Sequence, residues 1–351
     1  MFGTYKKEDV TILLKDITGL VEPLETKARE RLIQSGVHYC EMLPLEYKPT
    51  EGYLEAYEYA LNNHAEKTAR AVVSAAEKVL RSKGKDVVLV SLARAGTPAG
   101  ILIKHYLDKK YRLNVPHYTV SIIRGRGIDN NAMKYILERH APQQVQFVDG
   151  WTGKGAIKGQ LIEAMRDYPG VDSEISVLAD PARITRLAGV QEDFPIASSF
   201  LNATVSGLLS RTFLRKDIIG EGDFHGAAFY SELLPEDRTY EFIEKVESCF
   251  GAVPQEAENA EADISGGGVR ETAAIAGHFG VSDINLVKPG IGETTRVLLR
   301  RYPWKVLVHS LHDELNLGHI YRLAREKNVE VCLYPLKMYR ACGIIRKLSD
   351  A

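Results

Sequence analysis

The chain has 351 residues, which is enough for two or three domains of about 150 residues each. Hydrophobic residues make up 45% of the sequence, as expected for a globular protein with a buried core. The formal net charge of −1 argues against a protein whose whole surface binds a polyanion.

Cysteine usage and the N-terminal segment indicate the cellular setting. The four cysteines form no CxxC pair, which argues against a zinc ribbon or a disulfide scaffold and favours a reducing cytosol. Residues 1–16 carry charges where a signal peptide needs an apolar segment. No apolar run approaches the ~18 residues of a membrane span. We therefore expect a cytoplasmic protein with no membrane partner.

Residues 51–180 alternate between helical and strand patterns. The helical segments repeat apolar residues at helical spacing, whereas the strands are short and solidly apolar. This alternation is typical of an α/β fold with a parallel sheet covered by helices on both faces. In chain order, the predicted elements are a helix over 51–83, a strand over 86–93, a helix over 97–110, a strand over 117–123, a helix over 128–140, a strand over 143–149, a helix over 155–168 and a strand over 173–180.

Residues 252–268 differ in composition from their surroundings. This segment is rich in Ala and Glu and ends in three glycines, so it is predicted to be a flexible linker. Residues 269–351 carry 13 Lys and Arg against 8 Asp and Glu, net +5, which leaves net −6 for residues 1–268. Such asymmetry is expected when only the tail meets a polyanion. We predict domains at 1–251 and 269–351.

Polar and glycine residues follow each strand of the predicted sheet. Because parallel sheets bind ligands at the carboxyl ends of their strands, we expect these residues to converge at one rim. A structural interpretation of each stays open, since glycine turns, exposed arginines and an Asp before Pro also occur in simple connections. The strand-end residues are Arg94, Ala95, Gly96 and Thr97, then Arg124 and Arg126, then Asp149, Gly150, Thr152, Gly153, Lys154 and Gly155, and finally Asp180.

Several motifs together resemble known proteins. FVDGWTGKG resembles the 5-phosphoribosyl 1-pyrophosphate (PRPP) loop of type I phosphoribosyltransferases, and SLARAGTP resembles their pyrophosphate loop. With SIIRGRGID, VLADPA and GDFHGAAFY, residues 2–250 look like the StiP family, bacterial proteins found with tellurite-resistance and stress genes. That family is classed as phosphoribosyltransferase-like, and a cysteine protease label also circulates for it.

The resemblance implies a Mg²⁺-dependent transferase that uses PRPP. The amides of residues 152–155 would hold the 5-phosphate, Asp149 the ribose hydroxyls, and the Arg94–Thr97 loop the pyrophosphate with Mg²⁺. Arg94 and Asp149 are the candidate catalytic residues. The protein itself is expected to hold no metal. One departure matters, because the common pattern has two adjacent acids where Asp149 stands alone. Binding without turnover therefore stays open.

The protease alternative requires a cysteine nucleophile and a histidine. Cys40 lies two residues after His38, and His225 in GDFHGA is another candidate base. The sequence alone does not bring these residues together, and a lone cysteine is often a small buried hydrophobe. His225 is equally a candidate ligand contact of the family motif or a structural turn residue beside Asp223.

The tail is predicted to form a small α/β domain. Its patterns run helix over 271–280, connection and helix over 281–303, strand, helix and strand, with residues 341–348 as helix or strand. KPGIGETTR resembles the glycine turn and helix start of pelota-type RNA-binding proteins. The alternative is a capped helix start with arginines facing water. The candidate RNA-binding residues are Lys288, Gly290, Gly292, Glu293, Thr294, Thr295 and Arg296.

These observations favour a phosphoribosyltransferase-like domain joined to a pelota-like RNA-binding domain, in a pathway associated with stress and tellurite resistance. The expected partners are PRPP or another ribose phosphate, and RNA. A nucleotide-sensing RNA-binding regulator without turnover is the second hypothesis, and a cysteine protease is the third. The acceptor, the RNA target and the oligomeric state stay open, a homo-oligomer included.

Overall fold

The computed structural model describes residues 2–253 and 262–346. The helices are α1 (Thr26–Gln34), α2 (Glu51–Lys83), α3 (Gly96–Tyr111), α4 (Asn130–Leu137), α5 (Ala156–Ala164), α6 (Thr239–Ser248), α7 (Gly267–His278), α8 (Ile291–Arg300) and α9 (Glu314–Glu326). The strands are β1 (Thr11–Ile12), β2 (Lys15–Asp16), β3 (Val88–Leu92), β4 (His117–Val120), β5 (Ile122–Ile123), β6 (Gly127–Ile128), β7 (Val145–Trp151), β8 (Ile175–Ala179), β9 (Ala188–Val190), β10 (Gly226–Ala227), β11 (Val287–Pro289), β12 (Pro303–Val308), β13 (Glu330–Leu333) and β14 (Ala341–Ile345).

The front part of the chain is built on a six-stranded parallel sheet in the order β1-β4-β3-β7-β8-β9. Side chains alternate across β3 because successive residues of a strand point to opposite faces. Val88 and Val90 pack in one buried cluster with residues of α4 and α5, whereas Leu89 packs in another with α2 and α3. The prediction of a parallel α/β sheet with helices on both faces is confirmed.

The longest helix, α2, spans the predicted range 51–83 and lies against the β7–β9 side of the sheet. Small buried residues such as Ala69 and Ala71 let the sheet approach closely. A side chain at Gly189 of β9 would overlap the Ala71 carbonyl, so only glycine fits there. The helix ends at Gly84, whose φ of 76° suits a residue without a Cβ.

The tail forms a separate four-stranded sheet in the order β11-β14-β12-β13, packed with α8 and α9. The segment that fitted either a helix or a strand becomes β14, antiparallel to both β11 and β12. Every residue of β14 is buried, as expected for an inner strand. The prediction of a small α/β tail domain is confirmed. Within the described ranges, no helix has both the length and the apolar character needed to cross a membrane.

The predicted linker, residues 252–268, lies partly outside the described residues, which omit 254–261. Its last two residues belong to α7, which begins at Gly267. The residues just before α7 contact the loop between β8 and β9, since the Gly266 amide donates to the Arg183 carbonyl at 2.7 Å. The division into two domains with a flexible linker stays a prediction.

One buried carboxylate joins the tail to the front. Asp193 accepts hydrogen bonds from the backbone amides of Ile291 at 3.0 Å and Arg340 at 2.8 Å. The Arg340 side chain returns to the Asp193 carbonyl at 3.0 Å and also pairs with Asp313 at 3.0 Å. Burial raises the pKa of Asp193 to about 6, although the amide donors oppose the shift. These bonds place the start of α8 beside the front sheet.

We predict that Asp193→Ala loosens the tail. The substitution leaves two buried amides without an acceptor, which should lower the free energy of unfolding by about 1–3 kcal/mol. Chemical unfolding measures this loss, and hydrogen exchange at the Ile291 amide locates it. The exposed Asp167, changed to Ala, is the matched control. Equal stability of the two variants would contradict the role given to Asp193.

Candidate functional site

A cavity of about 850 Å³ opens at the carboxyl ends of β3 and β7, and both domains line it. The tail contributes β11 and the start of α8 to its wall. Two motifs that the sequence placed far apart, DGWTGKG and KPGIGETTR, therefore face the same space. The predicted residues that line it are Arg94, Ala95, Arg124, Asp149, Thr152, Gly153, Lys154, Gly155, Lys288, Glu293 and Arg296.

The third strand runs further than predicted. Residue 149 was expected to end the strand, but β7 continues to Trp151, because Asp149 and Trp151 pair with Val177 and Ala179 of β8. The turn therefore begins at Thr152. Asp149 and Gly150 belong to the strand, and the Gly150 amide donates to the Asp149 carboxylate at 2.8 Å.

The turn after β7 presents unused backbone donors. No acceptor among the described residues takes the amide hydrogens of Gly153, Lys154 or Gly155. Gly155 has a φ of 81° and precedes α5, so the turn leads into a helix N-terminus. Free amides together with the positive end of a helix dipole form a favourable environment for an anion.

The Asp149 carboxyl group has a pKa close to neutral pH. Burial raises its pKa to about 7, while the Gly150 amide and the Arg296 cation oppose the shift. Near neutral pH the group is thus divided between a carboxylate and a neutral acid. The carboxylate form accepts hydroxyl hydrogens, which is the role expected of Asp149 toward a ribose.

Lys154 ties the turn to the tail. Its ammonium group donates to the carbonyls of Ile284 at 2.5 Å and Val287 at 3.3 Å. Tyr339 of the tail donates to the Gly153 carbonyl at 2.8 Å. Burial, followed by the neighbouring cations Lys288 and Arg124, lowers the pKa of Lys154 to about 8. An anion in the cavity would relieve this repulsion.

The residues of the loop after β3 lie partly in the cavity wall and partly in the core. Arg94 and Ala95 line the cavity, and the Arg94 guanidinium donates to the Leu209 carbonyl at 3.0 Å. Gly96 lies so close to the Val148 carbonyl that a side chain would overlap it. The Thr97 hydroxyl is buried against that of Thr119 at 2.7 Å. Gly96 and Thr97 therefore pack the loop against the sheet instead of facing the cavity.

The segment SIIRGRGID forms a small hairpin from β5 and β6. At its tip, Arg124 lines the cavity and donates to Asn285 of the tail at 2.8 Å. Arg126 points elsewhere and pairs with Glu41 at 2.8 Å. Only one of the two predicted arginines reaches the shared space.

Two other predicted residues do not line the cavity. Asp180 is fully buried, where it accepts from the Thr152 hydroxyl at 2.6 Å and from the Ile184 amide at 2.8 Å. It positions the turn after β7 from behind. His225 is also buried and lies 2.8 Å from the Ser121 hydroxyl. The structure thus buries His225 outside the cavity, and the choice between a ligand contact and a structural role for DFHG stays a prediction.

The residues of the tail motif KPGIGETTR also lie partly in the cavity wall and partly in the core. Lys288, Glu293 and Arg296 line the cavity, with Glu293 and Arg296 paired at 3.0 Å. Burial alone would raise the pKa of Glu293, but Arg296 and Lys288 lower it overall. The Arg296 guanidinium lies 5.0 Å from the centre of the Trp151 ring, a cation–π contact between the two domains.

The remaining motif residues have structural positions. Gly290 has a φ of 95° at the N-cap of α8, and a side chain at Gly292 would overlap Ser199 of the front. Thr294 and Thr295 are fully buried, and the Thr295 hydroxyl donates to the Ile291 carbonyl at 2.8 Å. Gly290, Thr294 and Thr295 are buried and Gly292 is half-buried, so these four residues do not form an exposed surface for RNA in this arrangement.

Several cations that line the cavity belong to no motif of the sequence. Arg29 belongs to α1, Arg211 to an irregular segment, and Arg301 follows α8. Isolated arginines outside a motif carry no linear pattern, so only the tertiary structure brings them together. Among the described residues that line the cavity, nine are Lys or Arg and four are Asp or Glu. The cavity is therefore strongly cationic.

The structure brings Cys40 and His38 together outside this cavity. The Cys40 sulfur lies 3.0 Å from His38 Nδ1, and His38 Nε2 lies 3.1 Å from the Arg124 carbonyl. Because a carbonyl only accepts, Nε2 carries the hydrogen and Nδ1 faces the thiol as a base. Cys40 is fully buried, and burial raises the pKa of its thiol. Burial also lowers the pKa of His38.

Comparison with known proteins identifies the family. A family model described as "Tellurite-like stress resistance cysteine protease StiP" matches residues 3–247. The chain belongs to the StiP family. A protein named "Cysteine protease StiP" from Acinetobacter baylyi is 34% identical, over 99% of this chain and 94% of that protein. The model of the PELOTA RNA-binding domain matches residues 267–347, so the tail is a pelota-type RNA-binding domain. No solved structure matched the chain.

We predict that Asp149→Asn changes how stability depends on pH. The native pKa of about 7 lies above the usual 3.8, so the native state binds more protons than the unfolded state between these values. Wild-type stability should therefore fall as the pH rises through this window, and the variant should not show this loss. At pH 8 we expect the variant to be more stable by on the order of 2 kcal/mol, since partial exposure reduces the full effect.

Chemical unfolding at pH 5 and pH 8 measures the difference. The exposed Asp167, changed to Asn, supplies the control, because its side chain lies outside the cavity. A wild type that gains stability from pH 5 to pH 8 relative to Asp149→Asn would contradict the raised pKa.

Proposed function

We propose that this StiP-family protein binds a ribose phosphate in the shared cavity and uses Mg²⁺–PRPP to transfer a ribose 5-phosphate group. One observation carries the proposal: the free amides of the turn after β7 lie beside Asp149 in a cationic cavity. A phosphate suits the amides, and ribose hydroxyls suit the carboxylate. A volume of about 850 Å³ suits a nucleotide-sized ligand.

The proposed step is group transfer at the anomeric carbon of the ribose. The bond from this carbon to the pyrophosphate oxygen breaks, and pyrophosphate leaves with the electron pair. The acceptor forms the new bond with a lone pair and loses its proton to solvent. Positive charge develops on the ribose, so orientation and charge stabilisation lower the barrier.

Individual residues have distinct proposed roles. Arg94 and the Ala95 backbone hold the pyrophosphate, Asp149 orients the ribose, and Lys154 adds charge at the 5-phosphate. Mg²⁺ enters with PRPP as part of the substrate. Among the described residues, no cluster of three or more His, Cys, Asp or Glu has an arrangement suited to a metal ion.

In this proposal, residues of the pelota-type domain bind the acceptor. Lys288, Glu293 and Arg296 face the cavity across from the turn after β7. A carboxylate beside two cations recognises a base edge together with phosphate oxygens. The acceptor is therefore a nucleobase or a base near an RNA end.

We predict that PRPP with Mg²⁺ stabilises the wild-type protein against thermal unfolding. Ligand at about 100 times its dissociation constant should add ~2.7 kcal/mol. Asp149→Asn should lose most of this gain, because the substitution replaces one of the two accepting carboxylate oxygens by an NH2 group that only donates. Asp167→Asn should keep the gain.

Pyrophosphate release then separates two functions of the same cavity. Release that depends on an RNA or base acceptor supports the transferase. Binding without release favours a nucleotide-sensing RNA-binding regulator, for which the single acid at Asp149 is the supporting observation. An absence of stabilisation by PRPP, ribose 5-phosphate and nucleotides would overturn both.

The contact between Cys40 and His38 supports a second candidate, a cysteine hydrolase. The two residues have the mutual distance of a thiol and its base, and the Arg124 carbonyl orients the imidazole. Burial opposes this function, since a substrate has no access to a fully buried sulfur. This candidate therefore requires an opening of the segment around Cys40.

We predict that iodoacetamide alkylates Cys40 much more slowly than the partly exposed Cys249 and Cys332. Burial keeps the reagent from the Cys40 sulfur and also raises the pKa of its thiol, which reduces the reactive thiolate. The pKa of Cys332 is raised too, so access to the sulfur is what separates Cys40 from Cys332. Mass spectrometry of the labelled peptides measures the three rates. Rapid labelling of Cys40, together with peptide cleavage lost in Cys40→Ala and kept in Asp149→Asn, would favour the hydrolase over the transferase.

A further inference from the structure

Two arginines in the cavity wall have no carboxylate partner within the part of the chain that the structure describes. Arg29 and Arg211 come from separate parts of the front domain and both line the shared cavity. Among the described residues, no hydrogen bond or ion pair engages either guanidinium group. The Nε atom of Arg29 and the Nε and Nη2 atoms of Arg211 are buried without an acceptor.

The nearby carboxylates already serve other cations. Glu30 pairs with Arg301 at 3.2 Å. Glu46 lies 3.3 Å from Arg300 and 4.0 Å from Arg94. The local charge is therefore not balanced within the described residues.

This arrangement is costly without a ligand. Burial, together with the positive charges of Arg29 and Arg94, lowers the pKa of Arg211 to about 9. The pKa of Arg29 is lowered by burial and by Arg301. The Tyr39 ring, 5.2 Å from the Arg211 guanidinium, compensates only weakly. Unpaired buried cations of this kind are expected where a bound anion completes the site.

We infer that Arg29 and Arg211 form a phosphate subsite for the second substrate, separate from the turn after β7. Two guanidinium groups present forked donors that match the oxygens of a phosphate, and two positive charges balance a phosphate dianion. A single carboxylate would neutralise only half of the pair. The inference rests on the proposed function, because only a transferase has a second substrate. It adds that this acceptor itself carries a phosphate.

The first test compares Arg211→Met and Arg29→Met with the wild type. Arg166→Met, at an exposed position, is the control for the change in net charge. Without ligand, Arg211→Met should unfold at the same or a higher temperature than the wild type, because it removes an unpaired buried charge. A purely structural arginine would give the opposite result.

The second measurement is calorimetric titration with orthophosphate in saturating ribose 5-phosphate and Mg²⁺–pyrophosphate, which occupy the turn after β7 and the proposed pyrophosphate position at Arg94. We expect the dissociation constant to rise roughly tenfold or more in Arg29→Met and Arg211→Met, and to stay unchanged in Arg166→Met. Ribose 5-phosphate should bind the arginine variants as it binds the wild type. Unchanged orthophosphate affinity in both arginine variants overturns the inference.

The two proposals fail in different ways. If ribose 5-phosphate does not bind the wild type, the titration with orthophosphate alone still reports on the subsite, and only the proposed function fails. A nucleoside monophosphate and a short RNA with a 5′-phosphate distinguish the sources of the phosphate. Each is compared with its 5′-hydroxyl counterpart, and a phosphate-dependent gain that Arg211→Met abolishes supports the corresponding source.

Discussion

The position of the whole site depends on the buried carboxylate of Asp193. It accepts the amide of Ile291, the first residue of α8, and the amide of Arg340 next to β14. These two bonds set the direction in which α8 begins. Because the helix starts there, Glu293 and Arg296 face the front sheet and not open solvent. The tail thus closes a cavity that the sheet alone would leave as an open rim.

Electrostatics within this cavity follow from that closure. Packing the tail over the strand ends removes water from a cationic surface, and removal of water shifts proton affinities. Asp149 and Lys154 consequently titrate near neutrality, far from their usual ranges. A phosphate dianion would favour the protonated form of Lys154, whereas ribose hydroxyls that donate to Asp149 would favour its carboxylate form. Binding of a phosphate alone is therefore expected to take up protons at Lys154.

The sequence predicted the elements well because their patterns are local. Solidly apolar strands and the long helix over 51–83 follow from periodicity alone. The end of β7 was missed because Gly150 reads as a turn, although pairing with β8 extends the strand to Trp151. Thr97 and Asp180 lie at strand ends, yet their side chains turn into the core. Arg29 could not be found, since its place in the wall depends on packing between distant segments.

The bonds of Lys154 couple the two domains. Lys154 belongs to the turn after β7, and its ammonium group donates to the carbonyls of Ile284 and Val287, directly before the pelota-type motif. A phosphate in the turn would compete with those carbonyls for the same hydrogens. Occupancy of the turn and the docking of the tail are then linked equilibria. Such a linkage is reciprocal. If the cavity ligand changes the affinity of the tail for RNA by some factor, then an RNA that shifts the tail changes the affinity of the cavity for its ligand by the same factor.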